Sequence, residues 1–301
     1  ELHRVHGIEF ETAIYTNLTQ DHLDFHGTME AYAAAKSKLF DHCRHAVLNF
    51  DDPYWQQMVE GKTCSITTYA IEDNAADLVA KNPRLLESGV SFEAITKGAI
   101  ARVSMSVPGR FSVYNALAAL GGALALGIDL CTASKALAEV KGVPGRAEVV
   151  PVPADYTVII DYSHTSDSME NVLVAVRGFC KGRIIGLFGC GGDRDKTKRP
   201  LMGRAGATYS DVRIITSDNP RSEPPREIID QIIPGTFGID KPTHIITDRK
   251  AAIAFALDIA RTGDVIVLMG KGHETYQEID GKKLHLDERE VVADYFKSKQ
   301  A

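Results

Sequence analysis

The chain has 301 residues, 44% hydrophobic and 25% charged, with a formal net charge of -6. That is the composition of a globular protein of about two domains, and its acidic balance excludes a broad nucleic-acid footprint. No apolar run reaches the roughly 20 residues of a membrane-spanning helix, so no membrane insertion is expected. The first residues do not form a signal peptide. The five cysteines are scattered without a C-x-x-C spacing, which predicts free thiols in a reducing cytoplasm.

In chain order, residues 13–17 predict a short strand that ends in polar residues. The next stretch, 19–26, packs two His and two Asp, His22 among them, into one loop. Neutral imidazole and carboxylate together can hold a divalent cation; the same residues also suit a solvated helix-capping loop. Thr28 is an N-cap type for a helix from 29 to about 40, with Tyr32, Ala35, Leu39 and Phe40 on its apolar face. Lys36, set among alanines, is either a solvated helix residue or a lysine turned to the polar loop. Residues 46–50 form a second predicted strand, and 51–53 open a helix. The stretch 63–107 predicts short strands and turns of an antiparallel excursion. An Ala/Leu-rich helix over 115–126 stops at Gly127, and another runs over 132–140.

Gly142, Pro144 and Gly145 mark a boundary, giving domains 1–145 and 146–301. Beyond it, the β-branched runs 156–161, 183–188, 212–216, 243–247 and 265–269 alternate with helical stretches. That pattern predicts an α/β fold whose second domain is a Rossmann-like, mostly parallel sheet with helices on both faces. Four of those strand ends are polar. Asp161-Tyr162-Ser163-His164 follows the first. Gly189-Cys190-Gly191-Gly192-Asp193-Arg194, followed by Lys196, Lys198 and Arg199, reads as an anion site or a tight turn. Asp218-Asn219-Pro220-Arg221 offers a carboxylate, an amide and a guanidinium: Arg suits a carboxylate, Asp and Asn an ammonium. A capped turn before a helix near Pro224 is the other reading. Gly270-Lys271-Gly272-His273-Glu274 closes the set. Open α/β sheets bind ligands at the carboxyl ends of their strands, so four such clusters on one edge predict a binding site. No G-x-G-x-x-G follows any of these strands, which argues against an NAD enzyme, and no G-x-x-x-x-G-K-[ST] phosphate loop occurs.

The segments TNLTQDHLDFHGTMEAYAAAK, GRFSVYN, GRAEVV, DYSHTSD, FGCGGDRDKTKRP, SDNPRSEPP and GKGHETYQ occur in that order. Together they resemble the Mur ligases of peptidoglycan synthesis, the diaminopimelate-adding MurE type in particular, over essentially the whole chain. The resemblance implies an ATP- and Mg2+-dependent amide synthesis. ATP phosphorylates the D-Glu γ-carboxylate of UDP-MurNAc-L-Ala-D-Glu. The amine of meso-diaminopimelate then attacks the acyl phosphate, and phosphate leaves a tetrahedral intermediate. Such chemistry demands neutralisation of charge at a crowded phosphoryl centre.

By the same resemblance, His22 is a Mg2+ ligand, and Lys36 is the lysine the family carbamylates into an anion that helps hold the metal. Arg4 contacts the UDP-muramoyl substrate. Asn115 and Arg146 contact the nucleotide, Asp161 lies near the ATP ribose, and Lys196 and His164 lie near the phosphates. Arg194, Asp218, Asn219, Arg221, Gly270 and Glu274 form the amino-acid pocket. The DNPR form goes with meso-diaminopimelate, whose second carboxylate Arg221 can clamp; lysine would leave that Arg unpaired. Ser112, Ser163 and Ser166 depart from the family's Asn, Ala and Pro, and Leu2 from a polar residue. The resemblance also implies a UDP-binding domain, a phosphate loop and an E-x-S-S segment that these residues lack. The chain therefore reads as the latter part of a central ATPase domain plus a C-terminal ligase domain, monomeric and inactive alone. Two alternatives stay open: a lysine-adding or folate-acting relative, and a non-enzymatic interaction protein that retains the ligase fold.

Overall fold

A computed structural model describes residues 5–19 and 23–300. The chain divides into two compact units. The first comprises residues 1–85, 89–106 and 110–141; the second comprises 86–88, 107–109 and 142–301.

The first unit runs β1 (Phe10–Tyr15), α1 (Leu23–His26), α2 (Met29–Ser37), β2 (Cys43–Asn49), α3 (Trp55–Val59), β3 (Ser65–Ala70), β4 (Leu78–Leu86), β5 (Gly89–Thr96), β6 (Ala99–Met105), α4 (Arg110–Ala125) and α5 (Leu130–Ala138). Its sheet keeps the order β1-β2-β3-β4-β5-β6. Strands β1 to β4 pair in parallel, and β5 pairs with β6 in antiparallel fashion. The antiparallel reading of 63–107 therefore fails at β3. That strand is the second half of a parallel crossover whose helix, α3, has only five residues. Thr28 caps α2 as expected, its Oγ1 accepting from Ala31 N at 3.2 Å. The helix yields to a 3-10 turn over Lys38–His42. Helix α4 starts at Arg110, five residues before the predicted 115, because Ser112, Val113 and Ala116 are already buried. Its small residues let it lie close on the sheet: a Cβ on Gly121 would stand 2.6 Å from Val47 Cγ1.

The second unit runs β7 (Glu148–Val150), β8 (Thr157–Asp161), α6 (Ser166–Arg177), β9 (Ile184–Phe188), α7 (Lys198–Tyr209), β10 (Val212–Ile215), α8 (Pro225–Ile232), β11 (Thr243–Ile245), α9 (Arg249–Ile259), β12 (Val265–Met269), β13 (Tyr276–Ile279), β14 (Lys282–His285) and α10 (Glu288–Gln300). The sheet order is β11-β10-β9-β12-β8-β7. All neighbours are parallel except β7, which runs antiparallel to β8. Side chains alternate between the two faces of the sheet with the two-residue period of a strand, and β9, β10 and β12 are buried at every position. Ile185, Leu187, Ile266 and Leu268 join Ala252, Ile253, Ala256 and Val292 from α9 and α10 in one core. On the other face Phe188 packs against Gly206 of α7, where a Cβ would stand 2.3 Å from the ring. Both faces are thus covered, as the continuous apolar runs predict. Strand β7, the β13–β14 hairpin and α10 were not legible in the sequence. They are short, or polar on the exposed side, and carry no clear period. Among the described residues no helix is long and apolar enough to cross a membrane.

Candidate active site

Parallel pairing decides where the polar loops of the second unit go. The register aligns Met269 with Asp161, Leu268 with Leu187, and Ile215 with Phe188. The carboxyl ends of β8, β9, β10 and β12 therefore lie along one edge. The chain leaves β8 for β9, travels outward to β11, and returns to place β12 between β9 and β8. A ligand crevice is expected where strand order reverses in this way. A cavity of about 230 Å³ lies there, lined from all four loops: Tyr162 and His164; Gly189 to Gly191, with Arg194, Lys198 and Met202; Asp218, Asn219 and Arg221; and Gly270 with Glu274.

The loop after β10 is held under strain. Arg221 has φ +52°, a left-handed conformation that is costly for a residue with a Cβ. The β13–β14 hairpin fixes it there: Arg221 N donates to Glu278 O at 3.0 Å, and Asp280 N donates to Arg221 O at 2.8 Å. The guanidinium is half-buried, with Nη1 donating to Gly192 O at 2.7 Å and Nε 3.2 Å from Glu278 Oε2. Gly270 has φ +117°, and a Cβ there would stand 2.5 Å from Asp218 Oδ2; this is a close approach that only glycine permits.

Beneath the cavity sits a residue that sequence reasoning missed. Lys271 is completely buried, with Nζ 3.0 Å from Asn219 Oδ1, 3.1 Å from Glu274 Oε2 and 3.6 Å from Asp218 Oδ1. Asn219 Oδ1 also accepts from Glu278 N at 2.9 Å, while its Nδ2 donates to Glu274 Oε2 at 2.8 Å. A backbone N–H must meet an oxygen, so this network fixes the orientation of the amide. The residue types alone gave Asn219 to an ammonium. With both lone pairs of its oxygen used, Asn219 offers a donor, and Asp218 and Glu274 are left as the acceptors. The signal in the sequence was a Lys between two glycines at a strand end.

The basic run after β9 splits into different roles. Arg199 is fully buried. It donates to both oxygens of Glu223, at 2.9 and 2.8 Å, to Gln231 Oε1 at 2.7 Å and to Gly191 O at 3.2 Å. Glu223 in turn accepts from Asp193 N at 2.7 Å and lies 3.2 Å from Lys196. The Arg199 guanidinium holds the Glu223 carboxyl down at about 2. Arg199 is therefore a buckle between two loops rather than part of an anion site; Lys196 is exposed and pairs with Glu223, and Arg194 and Lys198 reach the cavity. Burial pushes the Cys190 thiol up to about 12, so it behaves as an inert apolar side chain.

A second buried pair supports the floor. Arg249 and Glu288 are both inaccessible. Arg249 donates to Glu288 Oε1 at 2.8 Å, Ser217 O at 3.2 Å and Met269 O at 2.9 Å, tying together the ends of β10 and β12. Burial raises the Glu288 carboxyl, against the pull of Arg249.

At the end of β8, Asp161 is buried, and both its oxygens are engaged. Oδ1 accepts from Ser163 N and Oγ, and Oδ2 accepts from Ala147 N at 2.7 Å. Ala147 has φ +45°, so Asp161 pins a strained turn beside Arg146. Asp161, which the resemblance placed near a ribose, thus accepts three bonds from its own chain. Ser163, one of the departures, is thereby explained, since its hydroxyl donates to Asp161, with Ser168 O as a second acceptor 3.0 Å away. Tyr162 carries Arg146 4.9 Å from its ring centroid, with His164 at 4.9 Å and His273 at 5.2 Å. Burial, then the Glu274 carboxylate, raises the Tyr162 hydroxyl above its ordinary value.

In the first unit, Lys36 lies in the last turn of α2, half-buried, with Nζ 5.1 Å from the Tyr32 ring centroid; Tyr32 stacks on His26 at 4.7 Å. Asn115 is exposed on α4, in its second turn. Arg4 and His22 lie outside the described residues. Among the described residues no group of three His, Cys, Asp or Glu side chains could hold a metal ion.

The chain is similar to known proteins over both units. Residues 1–123 match the Mur ligase middle domain, and residues 145–272 match the Mur ligase glutamate ligase domain. The UDP-N-acetylmuramoyl-L-alanyl-D-glutamate–2,6-diaminopimelate ligase of Clostridium botulinum is 46% identical over 299 residues, covering 98% of this chain and 61% of its own length. Its counterpart from Caldanaerobacter subterraneus subsp. tengcongensis is 49% identical over 292 residues, covering 97% and 60%. A solved structure of a ligase with the same name has a TM-score of 0.70 at 35% identity, covering 99% of this chain and 62% of its own. The MurF ligase of Thermotoga maritima in complex with ADP has a TM-score of 0.66 at 19% identity, covering 97% and 63%; that likeness concerns the fold alone. The chain spans about three fifths of the length of the curated relatives it matches.

Proposed function

The chain belongs to the Mur ligase family, and from that premise we propose that the protein it represents forms an amide between meso-diaminopimelate and the D-Glu γ-carboxylate of UDP-MurNAc-L-Ala-D-Glu, at the expense of ATP. The observation that carries the reading is the cavity at the β9–β12–β8 edge, where Arg194 and Arg221 face Asp218 and Glu274. A zwitterion with a second carboxylate at its far end matches such a set. A guanidinium holds a carboxylate through paired N–H donors, and the two carboxylates accept from an ammonium. Arg221 is the residue that separates diaminopimelate from lysine. Lysine has no far carboxylate, and a partly buried guanidinium without one loses its partner.

The reaction divides the work. Transfer of the ATP γ-phosphoryl group to the γ-carboxylate makes an acyl phosphate, and attack by the amine with loss of phosphate completes the amide. The second unit's part is to hold the amine donor in one orientation, which lowers the entropic cost of that attack. Arg146, Tyr162, His164 and His273 form a cationic and aromatic cluster at the end of β8, which suits a nucleotide. Asn115, on α4 of the first unit, is proposed as a nucleotide contact, and Lys196 as a phosphate neighbour. Mg2+ belongs to the same reading, held by His22 and a carbamylated Lys36, with Arg4 on the UDP-muramoyl substrate. The described residues leave that metal set incomplete, so no step is routed through the ion. The sequence contains no phosphate loop of the G-x-x-x-x-G-K-[ST] type, so these residues alone are expected to bind the amino acid without ligating it.

Titration calorimetry of this polypeptide with meso-diaminopimelate and L-lysine tests the pocket. The expected result is heat with meso-diaminopimelate and about 100-fold weaker binding of L-lysine. Equal affinity, or a preference for lysine, overturns the specificity reading.

A further inference from the structure

We propose that Lys271 is a specificity-determining residue: its buried ammonium offsets the carboxylates of Asp218 and Glu274, so that the cavity selects a zwitterionic amino acid over a diamine that lacks carboxylates. The inference rests on the amino-acid pocket described above and deepens it.

A fully buried lysine at the bottom of a binding cavity needs a reason, because a buried cation without partners is strongly unfavourable. Its partners here are the very groups that face the ligand. Asp218, Asn219 and Glu274 are all within 3.6 Å of Nζ and all line the cavity, while Lys271 itself has no accessible surface. The remaining neighbours are the Tyr276 ring, 5.6 Å from Nζ, and the Arg249–Glu288 pair one layer below.

Two consequences follow for a ligand. The first is charge. Without Lys271, Asp218 and Glu274 would have no cation within the floor and only Arg194, Lys198 and Arg221 elsewhere in the lining, a local field that favours an ammonium and disfavours an α-carboxylate at that end. With it, the floor carries one net negative charge, enough for one ammonium beside one carboxylate. Coulomb interactions over such distances fall weakly with separation inside a protein, so a cation behind the carboxylates is felt at their front. The second is polarity. By occupying Asn219 Oδ1 together with Glu278 N, Lys271 leaves that side chain only N–H to offer a ligand, one of its two hydrogens already going to Glu274 Oε2; its polarity toward a ligand carboxylate is that of a donor next to two acceptors. Donor and acceptors together complement the head of an amino acid and not an alkyl ammonium.

The test compares meso-diaminopimelate with 1,5-diaminopentane, the same carbon spacing without carboxylates, by titration calorimetry at fixed ionic strength, with melting temperatures measured alongside. Wild-type protein is expected to favour the amino acid. In Lys271→Met the dissociation constant for meso-diaminopimelate should rise about tenfold while that of the diamine stays or falls, so that the preference shifts by tenfold or more. Lys271→Gln, which keeps an N–H donor but not the charge, should shift in the same direction. If Lys271→Met does not fold, Lys271→Met/Glu274→Gln is compared with Glu274→Gln, and the preference should again move toward the diamine. Equal weakening of both ligands, or none, overturns the role of Lys271 and leaves the pocket standing. Wild-type protein that binds neither compound overturns the pocket reading and the inference with it.

Discussion

The edge of the second unit's sheet and the segment around Lys36 in the first unit both carry residues expected at a site, yet they are built on different principles. At the sheet edge, residues more than a hundred positions apart, such as Tyr162 and Glu274, line one cavity because parallel pairing aligns the ends of their strands. Three buried cations tie the loops at that edge: Arg199 through Glu223, Arg249 through Glu288, and Lys271 through Asp218 and Glu274. Lys36 instead sits on a nine-residue helix, beside Tyr32, which stacks on His26. A site on strand ends inherits its geometry from the sheet. A site that starts from one helical side chain must be completed by groups brought from elsewhere.

The comparison can be broken most directly at the buckles. Arg249→Met strands the buried Glu288 carboxylate and should cost about 3–5 kcal/mol of unfolding free energy in urea titration, whereas Arg199→Met leaves the partly exposed Glu223 with Asp193 N and Lys196 and should cost less, about 1–3 kcal/mol. Lys36→Met, on the half-exposed helix, should cost no more than about 0.5–1 kcal/mol. If Arg249→Met proves neutral, the claim that the cavity is supported from below fails.

A somewhat smaller effect is expected at the cavity itself. Arg221→Ala should weaken meso-diaminopimelate about 100-fold by calorimetry and leave L-lysine nearly unchanged, because only the first ligand has the far carboxylate. Loss of both ligands to the same degree would mean that Arg221 only shapes its loop.

Packing offers a control in each unit. Gly206→Ala places a methyl against Phe188, and Gly121→Ala places one against Val47. Each should cost about 1–3 kcal/mol through overpacking, with Gly206→Ala the larger because an aromatic ring yields less than a valine methyl. Thermal unfolding of the two variants measures this.

The smallest effect is one of pH. Glu223 is held at about 2 in the folded protein, against an ordinary 4.5. Its pairing with Arg199 therefore stabilises fully above about pH 4.5 and is lost as pH falls toward 2. The acid limb of the stability curve should flatten over that window in Glu223→Gln. An unchanged limb would show that other carboxylates dominate acid unfolding. Lys196→Met, which removes only the exposed partner of Glu223, should shift stability by no more than about 0.5 kcal/mol.

Much of this molecule was legible from its residues. The five apolar runs of the second half are the five parallel strands β8 to β12, with boundaries displaced by one or two residues. Their ends carry the polar clusters, and Thr28 caps α2. The errors are local. The sequence predicts a helix after 51–53 but an antiparallel excursion from 63, whereas β3 pairs in parallel with both β2 and β4. The β13–β14 hairpin has an exposed Lys-rich strand, Lys282–His285, that reads as a loop. The hairpin holds Arg221 in a left-handed conformation through a contact across about sixty positions, which no local pattern announces.

By itself, the sequence determined the α/β pattern, the family and the residue types at the strand ends, because hydrophobic period and strand-end chemistry are local properties. Tertiary structure alone decided which polar groups remain available to a ligand. Asp161 and Arg199 look as free as Arg194 and Asp218 in the sequence, but much of their hydrogen-bonding capacity is used within the chain, by Ser163 and Ala147 and by Glu223 and Gly191. Lys271 looks like one more loop lysine until burial places it under the cavity. Hydrogen-bonding capacity is finite and charge is felt through space. Which bonds a side chain has already made is therefore fixed by neighbours distant in the chain, and the sequence does not record them.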